Sequence, residues 1–198
     1  MAITELPKLW RELLRIALDV DGVLADTMKL WISLWNKASN QKLSYEDLSE
    51  WDFWRRLGIS SGEFMRLMNE AWRLWWRIPP TEPNISEKVS RLRSLGRLDI
   101  LTARPRETEK YTLRWLEAHR IPYDDYVWIE SSRLKANLDY DVFIDDSPLI
   151  VDGCVMRRKL LLLYDRPWNR GVREEAYVRR IKSLDEAYHI LAGLVRER

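Results

Sequence analysis

The sequence holds a single cysteine, Cys154, among 198 residues. An intrachain disulfide is excluded, and the expected setting is intracellular, with Cys154 a buried, inert thiol. Histidine is almost as scarce. His119 and His189 sit in stretches of helical pattern without metal-ligand spacing, so neither is given a role. No apolar run approaches the roughly 20 residues of a membrane span. Met1-Ala2-Ile3-Thr4-Glu5 lacks the basic-then-apolar pattern of a secretion signal, so a cytoplasmic protein is expected. An excess of one charge is missing too. The formal net charge is +2, which gives no strong push toward DNA, RNA or membrane. No internal repeat or low-complexity tract interrupts the chain.

What is present points to a globular chain. Apolar residues make up 46% and charged residues 32%, enough for one core or one core with a sizeable insertion. Tryptophan is abundant, and seven of the eleven fall within residues 26–80. There, Leu30, Trp31, Leu34 and Trp35 recur at helical spacing, as do Phe64, Leu67, Met68, Ala71, Trp72 and Trp75. Ser60 followed by Glu63 reads as a capped helix start, and Pro79-Pro80 ends the segment. This stretch is expected to be a small helical insertion.

The remainder alternates between strand and helix. Leu14–Leu18 reads as a buried strand, and Arg97–Leu101 as a second, preceded by a helix over 86–95 that Gly96 stops. A helix over 106–119, strands at 126–129, 141–146 and 159–164, and a closing helix over 183–195 follow. Residues 131–138 read as a short helix or loop, 147–154 as a short helix, and 1–13 as a helical or irregular lead-in. Such alternation implies right-handed crossovers and a mainly parallel sheet, an α/β fold with a Rossmann-like core.

The strand ends carry the chemistry. Asp19 and Asp21 follow the first strand, and Gly22 lets the chain turn sharply after them. Residues two apart on a strand share a face, so both carboxylates could enter one crevice. Like charges that close need a cation or a shared proton. The pair therefore reads as a divalent metal site with one Asp free to act as nucleophile, against the plainer reading of an Asp-Gly turn. Thr102, Lys135 and the pair Asp145-Asp146 follow at later strand ends or loops. In a parallel sheet these ends converge on one edge. A hydroxyl, loop amides and a lysine suit a phosphate, and carboxylates suit magnesium. The Tyr164–Asn169 segment follows the most hydrophobic strand and is expected near the site, with no chemistry assigned to it.

At this point the chain resembles the haloacid dehalogenase (HAD) superfamily. Asp19-Val20-Asp21-Gly22-Val23 is similar to motif I, Leu101-Thr102 to motif II, Lys135 to motif III and Asp145-Asp146 to motif IV. The insertion after motif I resembles a C1 cap, which implies a catalytic core of residues 1–25 and 81–198 and a cap of residues 26–80. Within the superfamily the chain looks most like the 5'(3')-deoxyribonucleotidases, through Asp19 to Asp26, Phe53-Trp54, Trp72 and Ile144-Asp145-Asp146. It departs from them at Ala103, where they carry Ser, and at Thr27, where they often carry Phe.

The resemblance implies a Mg²⁺-dependent phosphomonoesterase acting on a nucleoside monophosphate. It gives Asp19 as nucleophile, forming an aspartyl-phosphate, and Asp21 as general acid and base. Thr102, the Ala103 amide and Lys135 would hold the phosphoryl group. Magnesium would be held by Asp19, the Asp21 carbonyl, Asp145 and Asp146, with Asp146 the direct ligand of the last two. Phe53, Trp54 and Trp72 are the expected base pocket, whereas Arg55 and Arg56 read as a solvated face. A phosphatase of sugar phosphates or other small metabolites is the alternative. A binding module without turnover is the alternative of another class.

Overall fold

The computed structural model of the protein describes residues 14–196. The expected lead-in over residues 1–13 lies outside the described residues. Among the described residues, six strands form one sheet: β1 (Leu14–Leu18), β2 (Gly96–Thr102), β3 (Tyr126–Trp128), β4 (Val142–Asp145), β5 (Leu160–Tyr164) and β6 (Val178–Ile181). Their spatial order is β3-β2-β1-β4-β5-β6, and every pairing is parallel. Chain order reverses between β1 and β4, which leaves a crevice beyond their C-terminal ends.

Alternation along the strands feeds two cores. Ile16 and Leu18 enter one hydrophobic cluster, while Ala17 between them enters the other. All five residues of β5 are buried, as a central strand covered on both faces requires. The helices α1 (Thr27–Ser39), α2 (Ser61–Arg73), α3 (Ile85–Arg93), α4 (Glu109–Ala118), α5 (Val151–Met156) and α6 (Leu184–Arg196) complete the chain. None of them is long and apolar enough to cross a membrane. Cys154, on α5, is fully buried, and burial pushes its thiol up to about 12.

The segment between β1 and α3 leaves and returns at one place. The Asp26 amide donates to the Pro79 carbonyl (2.9 Å), and the Thr81 amide donates to the Leu24 carbonyl (2.9 Å). Ser60 caps α2 as its spacing to Glu63 predicts: its hydroxyl accepts from the Glu63 amide, while the Glu63 carboxylate accepts from the Ser60 amide. Trp31, Phe53 and Met68 form a third cluster, which Trp168 joins from the far end of the chain. Leu30, Ala71 and Trp72 instead reach into the core of the sheet.

Two local expectations change. Gly96 does not stop a helix but opens β2, where a Cβ would lie 2.1 Å from the Leu14 carbonyl oxygen. The strand β6 was not foreseen, because Val178-Arg179-Arg180-Ile181 carries two cations at its centre. It is an edge strand beside β5, and one of those cations, Arg180, pairs with Asp165 in the loop after β5.

Candidate active site

The register sets the geometry. Leu18 lies beside Ile144, so the residues that follow, Asp19 and Asp145, emerge side by side at the crevice. The Asp19 amide donates to the Ile144 carbonyl (3.0 Å) and ties the two strand ends together. The chain then turns at Gly22, whose φ is +73°. A Cβ there would lie 2.0 Å from Oδ2 of Asp146, so both the backbone angle and the space require glycine.

Asp19, Asp145 and Asp146 are buried, and each offers an oxygen within 4.8 Å of those of the other two. Lys135, in a 3₁₀ turn spanning Ser132–Asn137, reaches into this group. Its Nζ lies 2.9 Å from Oδ1 of Asp19 and 2.7 Å from Oδ2 of Asp145. Two of the three carboxylates thus pair with one buried ammonium. Burial pushes the Asp19 carboxyl up to about 7, against the pull of Lys135 and with the help of Asp145 and Asp21. Burial, then Asp19 and Asp145, hold Asp146 well above the usual carboxylate range. Such a cluster suits a divalent cation, and its all-oxygen donors suit magnesium.

The oxygens are not equivalent. Asp145 spends Oδ2 on Lys135 and Oδ1 on the Ser147 amide (2.8 Å). Asp146 gives Oδ2 to the indole N–H of Trp168 (3.1 Å). Asp19 gives Oδ1 to Lys135. Asp21 stands apart from the metal-type cluster, gripped by three donors: Thr27 Oγ1 (2.6 Å), Trp72 Nε1 (2.9 Å) and Arg104 Nη1 (2.8 Å).

These groups open into a cavity of about 310 Å³, the lower end of the size range for small-molecule sites. Asp19, Asp21, Thr102, Ala103, Lys135 and Asp146 all line it. Phe53 and Trp54 stand in its wall with Trp51, Phe64, Met65 and Met68. Phe53 is buried edge-on against Trp31 (5.4 Å), and Trp54 stacks on Phe64 (4.5 Å). Trp72 is not part of the lining. It is fully buried behind Asp21, with the Arg104 guanidinium 4.6 Å over its ring. The Thr102 hydroxyl accepts from the Arg104 amide (3.3 Å).

Sequence reasoning missed Arg104, singled out Trp168 and Asn169 only as part of a segment near the site without a chemistry, and marked Thr27 only as a departure from the family pattern. Arg104 stands two residues after Thr102, but arginine is mostly exposed in proteins, and this one is 5% exposed. Met65 and Trp51 were also unmarked as cavity wall.

Similar proteins share this architecture. The HAD phosphatase from Thermococcus onnurineus superposes with a TM-score of 0.59 at 18% identity, over 91% of this chain and 98% of that one. YfnB from Bacillus subtilis, solved bound to magnesium, superposes with a TM-score of 0.57 at 15% identity, over 91% and 99%. A nucleotidase of Clostridium acetobutylicum is 24% identical over 190 residues, 92% of this chain and 96% of that protein. The fold is thus of the HAD type, and the family that the chain matches makes it a phosphoric monoester hydrolase of the nucleotidase/phosphatase type. More particularly, residues 12–198 match the model of the 5' nucleotidase, deoxy (pyrimidine), cytosolic type C protein family, and the chain belongs to that family.

Proposed function

We propose that the chain is a cytoplasmic, Mg²⁺-dependent phosphatase of nucleoside monophosphates, working through an aspartyl-phosphate on Asp19. One observation carries this reading. A buried cluster of Asp19, Asp145 and Asp146, short of positive charge, opens into an aromatic-walled cavity. The family description, the lone buried thiol and the magnesium bound to YfnB support it.

Asp19 is the nucleophile: Lys135 holds Oδ1, and Oδ2 attacks phosphorus. The ester P–O bond breaks, and Asp21 gives its proton to the leaving alkoxide. Water then attacks the phosphorus, Asp21 takes its proton, and the Asp19–phosphorus bond breaks to release inorganic phosphate. Thr102, the Ala103 amide and Lys135 stabilise the phosphoryl oxygens as charge shifts between them. Asp19, Asp146 and the Asp21 carbonyl would hold Mg²⁺, which supplies charge neutralisation between nucleophile and phosphate. Asp145, with both oxygens engaged, orients Lys135.

Residues 26–80 act as a cap on the core of residues 1–25 and 81–198. Their aromatic wall receives the base, with Trp54 and Trp51 offering the half-buried faces. Base stacking on such faces contributes ~1–3 kcal/mol per base. Trp72 plays a different part, because its indole N–H fixes Asp21.

Phosphate release from a panel of nucleoside 5'- and 3'-monophosphates and sugar phosphates, with Mg²⁺, tests the substrate. Nucleotides are expected to be turned over at least tenfold more efficiently than sugar phosphates. The reverse ranking keeps the chemistry and rejects the base-binding cap.

A further inference from the structure

The loop after β5 carries no recognisable chemistry in the sequence. In the fold it grips both acidic turns of the site. Arg166 Nε donates to the Gly22 carbonyl (2.6 Å) in the turn behind Asp19 and Asp21. Asn169, 1% exposed, donates from Nδ2 to the backbone carbonyls of Asp146 and Tyr164, both at 2.8 Å. The Asn169 side-chain oxygen is in turn held by Arg180 of β6 (2.7 Å). Trp168 Nε1 donates to Oδ2 of Asp146 (3.1 Å). On its other side the Trp168 ring packs 5.7 Å from that of Tyr45 and joins the cluster of Met28, Trp31 and Phe53. Arg170 closes the loop against the insertion through Glu46 (2.6 Å).

We propose that Trp168 is a positioning residue for Asp146, fixing which of its oxygens faces the metal site. The inference rests on the metal-dependent reading above. A carboxylate held beside two others is driven by repulsion to rotate away from them. The indole N–H takes Oδ2 and leaves Oδ1 as the oxygen to present. The same Oδ2 lies over Gly22, in the space a Cβ would fill. Asn169 fixes the backbone of Asp146 from the same loop, so side chain and main chain are set together. Partners that orient a metal ligand typically carry 10–100-fold in metal affinity.

The test is calorimetric titration of Mg²⁺ into the metal-free full chain and into Trp168→Phe, which keeps a ring and removes the donor. Melting of both proteins without metal and phosphate release at saturating Mg²⁺ accompany it. The expected result is a Kd for Mg²⁺ about 10–100-fold weaker in the variant. Turnover lost at low Mg²⁺ should be recovered at least in part at saturating Mg²⁺, as weakened cation binding requires. An unchanged Kd in the folded variant overturns the proposal. Absence of Mg²⁺ binding by wild type overturns the metal-dependent reading itself, and this one with it. Should Trp168→Phe fail to fold, a Trp analogue with sulfur in place of the indole N–H, placed at position 168, removes the donor alone. The same loss of affinity is then expected, and unchanged affinity refutes the role.

Discussion

Asp19, Asp145 and Asp146 crowd together around Lys135, and they differ in which oxygens remain uncommitted. The pattern of an acid pair at each of two strand ends was legible in the residues themselves. The division of labour was not, because it depends on donors from distant positions: Ser147, Trp168 and, for Asp21, Thr27, Trp72 and Arg104. The cluster also has a cost that a single substitution should reveal. Asp146→Asn removes one buried charge, yet its amide oxygen can still accept from Trp168. The metal-free variant should melt higher than metal-free wild type by about 3 °C, the shift that ~1 kcal/mol produces in a chain of this length. It should also lose the stabilisation that Mg²⁺ gives wild type. Thermal melts with and without Mg²⁺ check both; a variant that melts lower without metal would show that the carboxylate stabilises the fold instead.

The helix α2 was visible in the sequence through its cap at Ser60 and its apolar spacing. Those signals set a helix and a buried face, while family resemblance placed Trp72 in a base pocket. Periodicity cannot say what a buried indole N–H will meet, and here it meets the Asp21 carboxylate. The same limit applies to β6, whose two arginines hid a strand, while its Arg180 supports Asn169 behind the acidic loop. Fixing Asp21 through α2 has a kinetic signature. Trp72→Phe should lower kcat about tenfold on a nucleoside monophosphate, whose alkoxide must be protonated as it leaves. It should change the first-turnover burst of p-nitrophenol from p-nitrophenyl phosphate little, because that leaving group needs no proton. An equal loss in that burst would assign Trp72 to packing alone.

At the scale of the whole molecule, the strand order places the site. Reversal between β1 and β4 opens the crevice, and parallel pairing brings Asp19, Thr102 and Asp145 to the same edge. Much of this was legible because four strand ends in sequence carried the polar groups that such an edge requires. The loop of residues 166–169 stayed unread, since its meaning lies in contacts with Gly22, Asp146 and Tyr45 far away in the chain. In the proposed mechanism, these parts serve a nucleophile at Asp19 within a cation-dependent carboxylate cluster. The decisive measurement is phosphate release from a nucleoside monophosphate by wild type and by Asp19→Asn, each with Mg²⁺ and with EDTA. Turnover by wild type with Mg²⁺, and loss of at least about a thousandfold from either Asp19→Asn or EDTA, is expected when the nucleophile or the cation is removed. Wild-type turnover that persists in Asp19→Asn or in EDTA would contradict it.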